Sequence, residues 1–118
     1  MSCNRQLSKE EHNLVRWMLE HGKPGATSFL SQLEQAVVSP WQCPCGCASL
    51  NFTVPGLPEP LGGLNVLGDF LFGSQSELSG AFVYEQAGVL SGLEVYGLAG
   101  DAPKALPSIA SLRQFSDA

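Results

Sequence analysis

Hydrophobic residues change their period once along this chain, and that change decides which folds are open to it. Up to about residue 37 they recur at i, i+3, i+4 and i+7, the spacing of one helical face. From Cys47 onward they alternate with polar residues, as in a half-buried strand. Helices followed by strands is the order of an α+β protein. The expected fold is therefore an N-terminal αα-hairpin packed on one face of a mainly antiparallel sheet of four or five strands.

Local signals sharpen the helical half. Ser8 and Glu11 have capping-box spacing, in which the serine hydroxyl and the glutamate carboxylate each satisfy the other residue's backbone N–H. Leu14, Val15, Met18 and Leu19 form the stripe that follows. Gly22 suits a helix C-terminus and Pro24 prevents continuation, so the first helix is predicted at about residues 8–21. Ala26, Phe29, Leu30, Leu33, Ala36 and Val37 predict a second at about 26–37.

In the second half, Ala48, Leu50, Phe52 and Val54 share one parity and predict a strand over 47–54. Further strands are expected at about 64–72, 80–86 and 89–96. Gly68 is a candidate bulge, and Ala87-Gly88 turns a hairpin in which Gly88 takes the left-handed conformation. Pro40 would confine any strand at 38–42 to an edge. From about residue 98 a loose tail is expected, with Ser108 capping a short helix through Ile109, Leu112 and Phe115. The 118 residues read as a single domain, with neither a repeat nor a linker.

Charge narrows the partners. The net charge is −5, and the six basic residues (Arg5, Lys9, Arg16, Lys23, Lys104 and Arg113) are scattered. They form no stripe that could neutralise phosphates, so neither nucleic acid nor a membrane surface is an expected partner. The polar opening Met1–Arg5 lacks the apolar stretch of a signal peptide, and the expected compartment is the cytoplasm. There the four cysteines are expected as thiols or metal ligands rather than structural disulfides.

Three of those cysteines, Cys43, Cys45 and Cys47, fall within five residues. Thiolates are good zinc ligands, but a zinc knuckle spaces its cysteines by two residues and a closed site needs four ligands. Cys3, a histidine or another chain would have to supply the fourth. Thiol redox chemistry is a second reading, although no helix N-terminus follows to depress a thiol pKa. The simplest reading is a tight corner: Pro44 and Gly46 shape the turn, and the cysteines act as small apolar side chains.

Other side chains give weaker signals. His12 and His21 lie half a turn out of phase on the first helix and cannot share a ligand there; both read as surface residues. Glu85 and Glu94 occupy the two hairpin arms. Simple pairing about Ala87-Gly88 would set Tyr84 beside Ser91 and Glu94 beside Ala81, so the carboxylates form no acid–base dyad and read as solvated. No phosphate-binding glycine motif or nucleophile-elbow motif occurs. Trp17 lies off the main helical stripe, and an exposed tryptophan would be a partner anchor; Trp41 reads as core or core edge.

Three stretches, LVRWMLEHGKPGATSFLSQLEQAVV, CPCGCASLNF and GVLSGLEVYG, make the chain resemble a group of small uncharacterised bacterial proteins. That group carries a Cys-Gly-Cys turn and a Gly-x-Leu-Ser-x-Leu-Glu hairpin arm. The resemblance implies the same fold and brings no reaction, substrate or cofactor. The function expected from the residues is a small non-enzymatic binding or regulatory protein, of the immunity or adaptor kind. A zinc protein built on Cys43, Cys45 and Cys47 is the alternative, and a thiol redox protein the next. No resident cofactor is expected unless zinc is bound.

Overall fold

The computed structural model describes residues 4–40, 46–58 and 62–114. Helix α1, Lys9–Glu20, begins with the capping box its sequence encodes: the Glu11 N–H donates to Ser8 Oγ at 3.1 Å, and the Ser8 N–H donates to Glu11 Oε1 at 2.8 Å. Leu14, Val15, Met18 and Leu19 are buried from it.

The second helix is much shorter than its periodicity predicts. A 3-10 turn, Ala26–Phe29, leads into α2, a single turn over Leu30–Leu33. Two i→i+3 bonds, from the Gln35 and Ala36 amides to the Gln32 and Leu33 carbonyls, tighten its end. Val37 and Val38 are drawn into the sheet instead, where β-branched side chains pack well.

The described residues form seven antiparallel strands, more than the four or five expected. They are β1 (Arg5–Gln6), β2 (Val37–Val38), β3 (Leu50–Thr53), β4 (Leu64–Phe72), β5 (Ser79–Gln86), β6 (Val89–Gly97) and β7 (Arg113–Gln114), in the order β1-β2-β3-β6-β5-β4-β7. Three of them are two-residue strands, too short to show a period in sequence. β2 lies between β1 and β3 rather than at an edge, and Pro40 falls beyond it.

β3 starts later than the alternation suggests because Ser49 replaces a ladder bond with its side chain. Its hydroxyl accepts the Val95 N–H at 2.9 Å. The Ala48 N–H is taken by Pro103 O at 3.0 Å, which ties the post-β6 segment to the start of β3. Side-chain pairing also guards β6 near its turn: Gln32 Oε1 accepts the Leu90 N–H at 2.8 Å, and Gln32 Nε2 donates to Gly88 O at 2.9 Å. The amide of one helical residue thus imitates a neighbouring strand.

The core is one cluster joining α1 to the sheet through Leu14, Val15, Met18 and Leu19 with Phe70, Ala81, Val83, Leu93 and Val95. At the end of α1, Gly22 serves close approach rather than a left-handed cap. A Cβ there would overlap Leu67 O and come within 3.2 Å of Gly68 Cα. β4 is bulged between Val66 and Gly68, and the Leu67 carbonyl so released accepts the Lys23 N–H at 2.8 Å. Trp17 is occupied in the same region, tilted on Phe70 with ring centroids 5.1 Å apart and stacked on His21 at 4.2 Å.

The segment after β6 is more ordered than a loose tail. Leu106 and Leu112 pack against the core, and β7 pairs with Phe70 and Leu71 of β4. Ile109–Ser111 forms only a 3-10 turn, and the Ser108 side chain does not cap it. Phe115 lies outside the described residues. Among the described residues no helix is long and apolar enough to cross a membrane.

Candidate functional site

Of the cysteine turn, Cys43 and Cys45 lie outside the described residues, as do Cys3 and Trp41. Cys47 is half-buried, and its thiol meets Ser49 Oγ at 3.2 Å, in contact with the hydroxyl that closes the β3–β6 ladder. Among the described residues no group of three histidine, cysteine or acidic side chains converges on one point. His12 Nε2 lies 2.6 Å from Glu34 Oε2 and links α1 to the end of α2; His21 Nδ1 contacts Trp17 O at 2.8 Å. The two histidines are therefore spent separately.

A more organised constellation lies on the sheet face turned away from the core. Successive side chains of a strand point to opposite faces. Ala81, Val83, Leu93 and Val95 belong to the core, so Gly80, Phe82 and Tyr84 of β5 and Gly92, Glu94 and Tyr96 of β6 share the other face. The hairpin register sets them in three cross-strand pairs: Gly80 with Tyr96, Phe82 with Glu94, and Tyr84 with Gly92.

That register differs by one residue from simple pairing about the turn. Ala87 and Gly88 both have positive φ, 52° and 82°, as a two-residue hairpin turn requires. Glu85 pairs with Leu90, but Tyr84 pairs with Gly92, leaving Ser91 as a bulge. Glu94 therefore faces Phe82 rather than Ala81. Glu85 stays well away, bonded to Asn65 Nδ2 at 2.8 Å and to the Gly88 N–H at 3.2 Å.

Each tyrosine lies across the glycine opposite it and reaches the strand beyond. A Cβ on Gly92 would stand 2.6 Å from Tyr84 Oη, and one on Gly80 would overlap the Tyr96 ring. The Tyr84 hydroxyl donates to Asn51 Oδ1 of β3 at 3.3 Å; the Tyr96 hydroxyl donates to Asp69 Oδ1 of β4 at 2.9 Å. The rings point in opposite directions, with Phe82 between them at centroid distances of 5.7 and 5.9 Å. Aromatic contacts of this kind contribute about 1 kcal/mol each.

Across the middle runs a row from three adjacent strands: Glu94, Phe82 and Asp69. Phe82, Glu94, Asp69 and Tyr96 are half-exposed, so the row is open to solvent. Burial pushes the Glu94 carboxyl above the usual carboxylate range. Tyr84 is raised by burial and then by the Glu94 charge; Tyr96 is raised by burial and by its bond to Asp69. Glu94 makes no hydrogen bond or ion pair among the described residues. The reading of Glu94 as simply solvated is therefore corrected: it is a partly desolvated, unpaired carboxylate set against an aromatic ring.

A groove of about 380 Å³ opens beside Asn51, the residue that accepts the Tyr84 hydroxyl, and is lined by Ser39, Thr53, Leu57, Gln86 and Ser91 among others. A sequence signal for the second face did exist. Ala81, Phe82, Val83 and Tyr84 are apolar or aromatic at both parities, as expected where both sides of a strand are occupied. No protein-family model matches this chain, and searches of curated proteins and of solved structures gave no match.

Proposed function

We propose that this chain is a small non-enzymatic binding protein, of the immunity or adaptor kind, and that it recognises a protein partner through the sheet face carrying Phe82, Tyr84, Glu94 and Tyr96. The carrying observation is the aromatic row Tyr84, Phe82 and Tyr96 on the face turned away from the core, in which Phe82 and Tyr96 are half-exposed. Aromatic residues are the commonest anchors of protein interfaces, because they bury much surface at little cost in side-chain entropy. Here the two tyrosines are already held by Asn51 and Asp69, so little ordering remains to be done on binding.

The test is co-purification of the tagged full chain from its native cells, beside a Phe82→Ser variant whose melting curve confirms that it is folded. The expected result is a stoichiometric protein partner held by the wild type and lost by the variant. A wild type that retains none, or a variant that retains the same partner, removes the reading.

A further inference from the structure

Resting on that reading, we infer that the open face binds an arginine side chain of its partner, with the guanidinium laid over Phe82 and paired to Glu94. The geometry starts from the central row. Phe82 on β5 is flanked in register by Glu94 on β6 and Asp69 on β4. A planar cation placed over that ring meets the negative face of its π-system and has a carboxylate on either side.

The two carboxylates are not equivalent. Asp69 Oδ1 already accepts the Tyr96 hydroxyl at 2.9 Å. Glu94 has both oxygens available to a ligand and stands against an aromatic ring where water is partly excluded, so a cation there recovers solvation the fold has removed. Guanidinium suits this better than ammonium. It stacks on an aromatic face and donates two parallel N–H bonds to one carboxylate, whereas ammonium is a compact and strongly hydrated point charge.

Charge favours a basic partner over a second copy of the chain. The net charge is −5, so two copies repel. Of the chain's own arginines, Arg5 is paired to Glu11, Arg16 to Glu20, and Arg113 donates to Gly73 O. The groove beside Asn51 extends the surface for residues that neighbour the arginine.

The test needs no native partner. The ¹⁵N-labelled full chain is titrated, at the millimolar concentrations a single side chain demands, with N-acetyl-arginine amide, its lysine counterpart, and its neutral citrulline isostere. Saturable shifts are expected with arginine alone, centred on Phe82, Glu94 and Tyr96. Glu94→Gln should weaken binding about tenfold through loss of the charge-assisted pair. Phe82→Leu should weaken it about threefold through loss of the π face. The inference is overturned if arginine gives no saturable shifts, if lysine or citrulline binds as well, or if Glu94→Gln binds as tightly as wild type. If any of these occurs while Phe82 still governs capture of the native partner, the arginine assignment falls and the binding face remains. Loss of both results removes the face as well.

Discussion

Glu11 and Glu94 are two carboxylates partly withdrawn from water, and the molecule treats them in opposite ways. Glu11 sits where α1 meets β1. It accepts the Ser8 N–H and holds the Arg5 guanidinium with two bonds of 2.8 Å, Nη1 to Oε1 and Nη2 to Oε2. The Arg5 pair, helped by the Ser8 bonds, holds its carboxyl below the usual range despite burial. Glu94 is given an aromatic neighbour in register and, among the described residues, no hydrogen-bond or ion-pair partner, and burial alone moves its carboxyl the other way. Desolvation without compensation is disfavoured, so the fold completes one of these sites and leaves the other uncompensated.

The largest way to break this comparison is at the finished corner. Glu11→Ala removes the capping back-bond and both guanidinium bonds, and should cost about 2–3 kcal/mol in urea unfolding. The pH dependence should follow. Because the folded-state carboxyl of Glu11 lies below its unfolded value, its contribution is complete above the unfolded value and is lost as pH falls through the folded one. The deficit of the variant should therefore shrink in acid. A deficit that did not shrink as falling pH protonates the carboxyl would mean that the carboxylate's charge is not what holds the corner.

A smaller effect is expected from the hydroxyl of Tyr84. Its bond to Asn51 is long, at 3.3 Å, and the ring is held as well by its seat over Gly92. Tyr84→Phe should cost about 1 kcal/mol or less and leave the ring contact with Phe82 in place, as aromatic chemical shifts would show. A loss of several kcal/mol would mean that the open face is a structural hydrogen-bond network rather than a set of aromatic surfaces.

The two corners also differed in how readable they were. The α1 corner is local: Ser8 and Glu11 are three residues apart, so the cap is written in a short window, and only Arg5 arrives from a strand too short to predict. The long strands β4, β5 and β6 and the turn at Ala87-Gly88 were legible for the same reason, each carrying its own period or turn chemistry. The second helix was not, because Val37 and Val38 fit a helical stripe and a strand equally well, and only pairing with Phe52 and Thr53 decides between them. The open face was hidden by a single bulge. Ser91 shifts the register by one, and in a structure of period two that moves Glu94 from beside Ala81 to beside Phe82. Asn51 and Asp69 join from other strands, at separations no local pattern encodes.

The smallest expected effect carries the opposite sign and tests the contrast most directly. Glu94→Gln should not destabilise the protein at neutral pH but stabilise it slightly, by about 0.5 kcal/mol or less given its exposure to solvent. The sign follows from linkage. The folded-state carboxyl lies above its unfolded value, so below the unfolded value both states are protonated and the group costs nothing. As pH rises through the folded value the charge appears in a place that disfavours it, and stability is lost relative to the neutral glutamine. The two unfolding curves should converge in acid and separate toward neutrality, with the variant ahead. If the variant were instead less stable at pH ~7, the carboxylate would have a stabilising partner within the fold, and nothing would be left over for a ligand to satisfy.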